Sequence, residues 1–313
     1  MPADKNRALR ALGFGAAAVV AFCLAVVLAF VGAANPGGKP TTASQQETLR
    51  VVSSVQVWAD IAQSLGGKYV NATAIINSPN RDPHSYEATV RDQLAVNRAD
   101  LTITNGGDYD PFFEHLVAKK PSPEATQSTV LAQLPGASAT NPHFWYDLAT
   151  VRTVVDEISR LELAALGTPG ADAEVAQRTA AYHGQLAALI KAQASTKTAT
   201  AGKSVLLTEG FAANLLTHLG ITNLTPREFL NAVEEEQDAS PKVMRQLQLS
   251  LESGKVSALI LNQQTEGRQT AQLISWAKAS DVPVLRLSEL LPAGQHYLSW
   301  MKSNLNAIKK AVK

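Results

Sequence analysis

A chain of 313 residues, with 45% hydrophobic and 18% charged side chains, has an ordinary globular composition and is long for one core, so two lobes are the natural division. Its 28 basic and 27 acidic residues nearly cancel and form no basic stripe, which excludes the footprint of a nucleic-acid binder. A single cysteine, Cys23, leaves no disulfide for a mature domain, and the fold must hold by its core alone.

Residues 1–10 carry Lys5, Arg7 and Arg10 against Asp4, and "ALGFGAAAVVAFCLAVVLAFVGAA" at 11–34 contains no charge. A basic flank before a long apolar run signals export. Roughly 20 apolar residues suffice to span a bilayer, so an uncleaved membrane anchor competes with a signal peptide cut near Ala33 or Ala34. The positive-inside bias leaves the short tail in the cytoplasm and everything after residue 35 outside it. An extracytoplasmic, cell-envelope protein is expected, either secreted or anchored by residues 11–34. Cys23 reads as an inert membrane-embedded thiol, because Phe22 stands where lipid attachment wants a small residue. Residues 35–47, "NPGGKPTTASQQE", form a flexible tether.

From residue 48 onward β-rich runs alternate with helical patterns. "LRVVSS" at 49–54 is a strand, 56–65 a helix stopped by Gly66-Gly67, and "YVNATAII" at 69–76 a strand. A helix is expected over 89–99, a strand over 100–105, and a helix over 110–119 with Asp110 and Pro111 at its start. Two helical stretches, 148–166 and about 172–196, flank "GTPGAD". The alternation then resumes with a strand at 204–208, a helix to about Leu219, a strand at 257–262, a helix near 268–279 and a strand at 282–287. Such an order predicts an α/β fold of two lobes with parallel-sheet β-α cores, joined by one long helix.

In open parallel sheets ligands gather beyond the carboxyl ends of the strands. There the chain places His84 in "DPHSYE", Glu209 directly after "SVLLT" and Glu289 shortly after "VPVLRL", while "NPHFW" at 141–145 repeats the Pro-His pairing with His143. Proline stiffens the loop that aims each imidazole. Two imidazoles and two carboxylates, with no thiolate, suit manganese or zinc. Blander readings stand beside this: an isolated Pro-His is often a turn, Glu209 could serve the helix dipole at Gly210, and Glu289 could be a surface carboxylate. His115, His183 and His218 read as solvated or capping, and His296 is ambiguous.

These stretches, with "LLTEGFAANLLTHLGI", "DASP" at 238–241, "NQQTEG" at 262–267 and "YLSWMKSNL" at 297–305, resemble the zinc- and manganese-type solute-binding proteins of ABC transporters, the metal-binding cluster A-I family. The likeness runs from about residue 48 to the C-terminus. It implies two lobes, 48–168 and 201–313, joined by a rigid linker helix over 169–200, with residues 1–34 a signal or anchor. It also implies one divalent ion held in the cleft by four side chains. His84 matches the first ligand and His143 the second. Glu209 takes the third place, histidine in most zinc members and glutamate in many manganese members. Glu289 falls near the fourth, usually aspartate, after a short gap. Glu87, Trp145 and Asp147 would orient these ligands; the family often has proline where Leu148 follows Asp147. The absence of a histidine-rich loop between residues 119 and 141, together with Glu209, favours Mn2+ over Zn2+.

The implied function is extracytoplasmic capture of Mn2+ or Zn2+ by a monomer and delivery to an ABC permease, with affinity falling as pH drops. The rival from another class is a metallohydrolase using the same His/His/Glu cluster, which would need an open coordination position and a nearby base. A metal-binding surface adhesin is a third reading.

Overall fold

The computed structural model describes residues 48–79, 81–83, 85–121, 126–137 and 141–312, all within the compact unit Glu47–Lys313. The expected signal or anchor, the tether, Cys23 and His84 lie outside the described residues. No helix among the described residues is long and apolar enough to cross a membrane.

The first lobe runs β1 (Leu49–Val55), α1 (Gln56–Gly66), β2 (Val70–Ile76), α2 (Val90–Asn97), β3 (Leu101–Thr104), α3 (Pro111–Ala118) and β4 (Gln127–Val130). Its strands pair in the order β2-β1-β3-β4, all parallel. Gly67 ends α1 at a φ of 56°, a left-handed backbone that favours glycine, and a Cβ on Gly66 would lie 1.9 Å from Val70 Cγ2. α2 opens with a Thr89–Asp92 capping box, and at its other end the buried Lys120 ammonium donates to the carbonyls of Val96, Asn97 and Ala99.

The second lobe runs β5 (Ser204–Leu207), α6 (Ala213–His218), β6 (Thr222–Asn223), α7 (Arg227–Glu234), α8 (Pro241–Glu252), β7 (Ala258–Asn262), α9 (Arg268–Ala279), β8 (Val284–Leu287) and α10 (Tyr297–Ala311). Its parallel order, β6-β5-β7-β8, repeats that of the first. Helices cover both faces, which is why these strands read as continuous apolar runs. Leu206, Leu259 and Leu261 point into a core with Phe229, Leu247 and Leu273, while Val205, Leu207, Ala258 and Ile260 point into the larger core on the other face.

Between the sheets, α4 (Leu148–Leu166) and α5 (Pro169–Thr200) form a hairpin. Gly167 closes α4 at a φ of 56° with its N–H on Leu163 O, and Thr168 is extended before Pro169, which starts α5. At 32 residues α5 is about 48 Å long, a rod joining two α/β lobes. It extends past the expected 172–196 at both ends: Pro169 is a good first-turn residue, and the Thr196 and Thr200 hydroxyls are satisfied within the helix on carbonyls one turn earlier. The C-terminal helix α10 crosses back onto the first lobe, where Asp60 of α1 accepts from Tyr297 N and pairs with His296 Nδ1 at 2.7 Å.

Four elements differ from expectation. Edge strands β4 and β6 are too short and polar to announce themselves. The helix after β5 starts as a 3-10 turn, Gly210–Ala212, before α6. Asp110 does not cap α3 with its side chain; its carboxylate accepts the N–H groups of Asn105 and Gly106, both at 2.7 Å, fixing the loop at the end of β3 instead.

Candidate metal centre

His143 is placed by its own loop. Asn141 spends its Nδ2 on Gly210 O at 3.0 Å, so its Oδ1 is the acceptor for both the backbone N–H of His143 and the ring Nδ1, at 3.0 and 2.9 Å. Nδ1 therefore carries the hydrogen and Nε2 presents its lone pair, as a metal-ligating imidazole with a polar partner behind it does. Asn105 Nδ2 ties Pro142 O to the end of β3 at 3.1 Å, and the imidazole is wedged edge-on against Tyr109 and Trp145, with ring centroids 5.2 and 5.3 Å away.

Glu209 leaves β5 and Glu289 leaves β8, and the adjacent strand β7 holds them together. Asn262, its last residue, donates Nδ2 to Glu209 Oε2 at 2.6 Å and to Glu289 Oε2 at 2.9 Å. Thr265 adds a second donor to Glu209 Oε2, and Gln264 Oε1 receives the Glu289 backbone N–H. From the first lobe, the Tyr109 hydroxyl donates to Glu289 Oε1, and Trp145 Nε1 donates to the Glu289 carbonyl at 2.9 Å. One oxygen of each carboxylate then faces the histidine: Nε2 lies 3.2 Å from Glu289 Oε1 and 3.9 Å from Glu209 Oε1. The three ligand atoms lie within 4.8 Å of one another, and all three side chains are buried. Donors on one tetrahedral ion at about 2.1 Å stand about 3.4 Å apart, so little movement brings them onto a cation.

Two buried carboxylates beside one imidazole share charge poorly. Burial, then the charge of Glu289, pushes the Glu209 carboxyl up to about 8, against the help of His143, Asn262 and Thr265. Burial works against the His143 imidazolium, but Glu289 and Glu209 outweigh it and the ring moves up. Burial and the charge of Glu289 also push the Tyr109 phenol well up, which keeps it a donor. Glu209 Oε1 is fully buried and has no hydrogen-bond partner among the described residues. Such a group is costly unless a proton or a cation meets it.

The structure thus brings together His143, Glu209 and Glu289, with Trp145 braced against two of them. Glu87 is exposed. Asp147 is occupied elsewhere: it accepts Ala149 N and the Thr150 hydroxyl at the start of α4, and pairs with His218 at 3.2 Å. Its carboxylate serves as a helix cap because Leu148 begins α4 immediately after it. Tyr109, Asn141, Asn262, Gln264 and Thr265 were not anticipated from the sequence. The strand-end rule that singled out Glu209 and Glu289 applies equally to Asn262 at the end of β7, and Asn141 stands two residues before His143.

Residues 51–311 match the family model for the zinc-uptake complex component A, periplasmic, known as ZnuA. The chain belongs to this family. Among ZnuA-type relatives, the metal ABC transporter substrate-binding lipoprotein FimA of Streptococcus parasanguinis is 23% identical over 94% of this chain and 98% of its own length. The manganese-binding lipoprotein MntA of Halalkalibacterium halodurans is 27% identical, over 51% of this chain and about half, 54%, of its own. The periplasmic zinc-binding protein TroA of Treponema pallidum shares the fold at a TM-score of 0.69 with 20% identity, over 85% of this chain and 99% of that one. A manganese-bound periplasmic metal-binding protein of Candidatus Liberibacter asiaticus does so at 0.67 with 19% identity, over 84% and 99%.

Proposed function

We propose that this ZnuA-family chain captures a divalent transition-metal ion outside the cytoplasm and delivers it to an ABC permease in the membrane, with Mn2+ favoured and Zn2+ next. The observation that carries the reading is the buried trio of His143 Nε2, Glu209 Oε1 and Glu289 Oε1, gathered from three separate loops at the carboxyl ends of parallel strands. His84 is the fourth ligand in this reading. Two carboxylates among the donors pull toward manganese, a preference that imidazole-rich sites lack. Relatives named for manganese binding and for metal transport support the same assignment. The chain acts as a binding protein and not an enzyme, as a monomer of lobes 48–168 and 201–313 with 169–200 as the linker, held at the cell envelope through its N-terminal segment.

Chemistry at the site is passive. Binding requires the ligands to shed protons, and the raised Glu209 holds one at neutral pH. Apparent affinity therefore rises with pH up to about 8 and falls below it, and titration at pH 7 releases protons to the buffer. The test is metal content of purified residues 48–313 with thermal unfolding scanned against Mn2+, Zn2+ and Fe2+. At a hundredfold excess over Kd the gain is about 2.7 kcal/mol, or a rise of roughly 5–10 °C at this size. If no divalent ion moves the transition, the receptor reading is lost.

Tyr109 tests the geometry more finely. Its hydroxyl is one of the first lobe's contacts to the Glu289 carboxylate, and a side chain that orients a ligand is worth about 10- to 100-fold in metal affinity. Tyr109→Phe is expected to weaken Mn2+ binding by about tenfold, measured by calorimetry, without lowering the metal-free melting temperature by more than a few degrees.

A further inference from the structure

A crevice of about 580 Å³ opens beside the cluster, and its inner wall is His143, a side chain only 1% exposed. One wall is the loop after β3, with Gly107 and Asp108; the other is the Gly210 turn together with α7, carrying Arg227 and Glu234. Asn141 closes the floor by bonding across to Gly210. Glu234 sits in the last turn of α7, where the helix dipole adds partial negative charge. Its Oε1 lies only 3.0 Å from the point where a Cβ on Gly210 would project, so the carboxylate rests over the residue next to Glu209. Its charge is felt at the His143 ring.

We infer that this crevice, whose lining includes Asp108, is the route by which a divalent cation reaches His143, and that Glu234 is the carboxylate the ion meets first. The inference rests on the metal-binding reading above and adds to it a residue that sets the rate of capture. Two carboxylates against the single guanidinium of Arg227 leave the mouth net negative, and walls of low dielectric focus that field along the crevice. Glu234 is exposed, so a hydrated ion can approach it without first losing its water. Arg227, one end of α7 away, limits how long the ion lingers there by countering part of that charge.

Stopped-flow mixing of Mn2+ alone with the full chain tests this, following tryptophan fluorescence, to which Trp145 contributes from its place against His143. Glu234→Gln is expected to slow association by about three- to tenfold at low salt, to lose that difference in high salt, and to leave dissociation unchanged. Glu228→Gln, on the same helix but outside the crevice, is expected to leave both rates unchanged. An unchanged association rate in Glu234→Gln overturns the inference, as does equal slowing by Glu228→Gln, which would mean a diffuse field. Faster dissociation also overturns it, by making Glu234 a ligand. None of these touches the receptor reading, whereas a wild-type chain that binds none of Mn2+, Zn2+ and Fe2+ removes both.

Discussion

Alanine at position 143 is expected to abolish the metal-dependent rise in melting temperature, and Glu209→Gln to abolish it while raising the melting temperature of the metal-free protein. The two variants separate binding from stability. His143 Nε2 is the one imidazole nitrogen in the buried trio, and its removal leaves two carboxylates with no imidazole between them. Glu209→Gln keeps the shape and keeps an oxygen for Asn262 and Thr265, but it removes a carboxyl that must take up a proton to sit buried beside Glu289 at neutral pH. A site arranged for a cation is strained without one, so easing it should help the empty fold by about 1–2 kcal/mol. Paired thermal scans with and without Mn2+ read both effects. If Glu209→Gln lowered the metal-free transition instead, Glu209 would be a structural acceptor. His84→Ala is expected to behave as His143→Ala, and Glu87→Ala to weaken the metal shift only partly.

The second large effect lies away from the metal centre. Glu162 faces inward from α4 beside Gly66, is 0% exposed, and neither of its oxygens has a hydrogen-bond partner among the described residues. Burial pushes its carboxyl up from 4.5 to about 9. A carboxyl whose pKa is higher in the folded than in the unfolded chain binds more protons when folded. Stability from this group is therefore fully present below about 4.5 and is lost as pH rises toward 9. At about 1.4 kcal/mol per pH unit, the loss between pH 5 and pH 8 is on the order of 4 kcal/mol. Glu162→Gln mimics the protonated form, and is expected to leave stability at pH 5 nearly unchanged while raising it at pH 8 by that amount. Urea unfolding at the two pH values checks it, and parallel slopes for wild type and variant would rule it out. Metal affinity should not change, because Glu162 is no part of the cluster. The direction is opposite to that of metal capture, which strengthens with rising pH, so the two titrations can be told apart in one series.

Glu209 and Glu289 are singled out because a carboxylate just beyond an apolar strand falls where parallel sheets gather ligands, and one oxygen of each lies within 4.8 Å of a His143 ring nitrogen. Asp147 reads from the sequence as an aid to the ligands, and its carboxylate bonds Ala149 N and the Thr150 hydroxyl; spacing alone cannot tell a carboxylate beside a ligand from one that caps the next helix. Asp110 shows the same limit at α3.

By itself the sequence determined the alternation of strands and helices, the continuous apolar runs of strands covered on both faces, the glycine stops at Gly66-Gly67 and Gly167, and the pairing of each proline with its histidine. All of these are local, set by side-chain period, φ and backbone donors within a few residues. Only the tertiary structure decided which polar groups meet. Tyr109 reaches Glu289 across 180 positions, Trp145 reaches its carbonyl across 144, and Asn262 spans two carboxylates that leave different strands. Those contacts exist because β5, β7 and β8 are neighbours in one sheet and the first lobe closes over their ends, a long-range order that no short stretch of chain encodes.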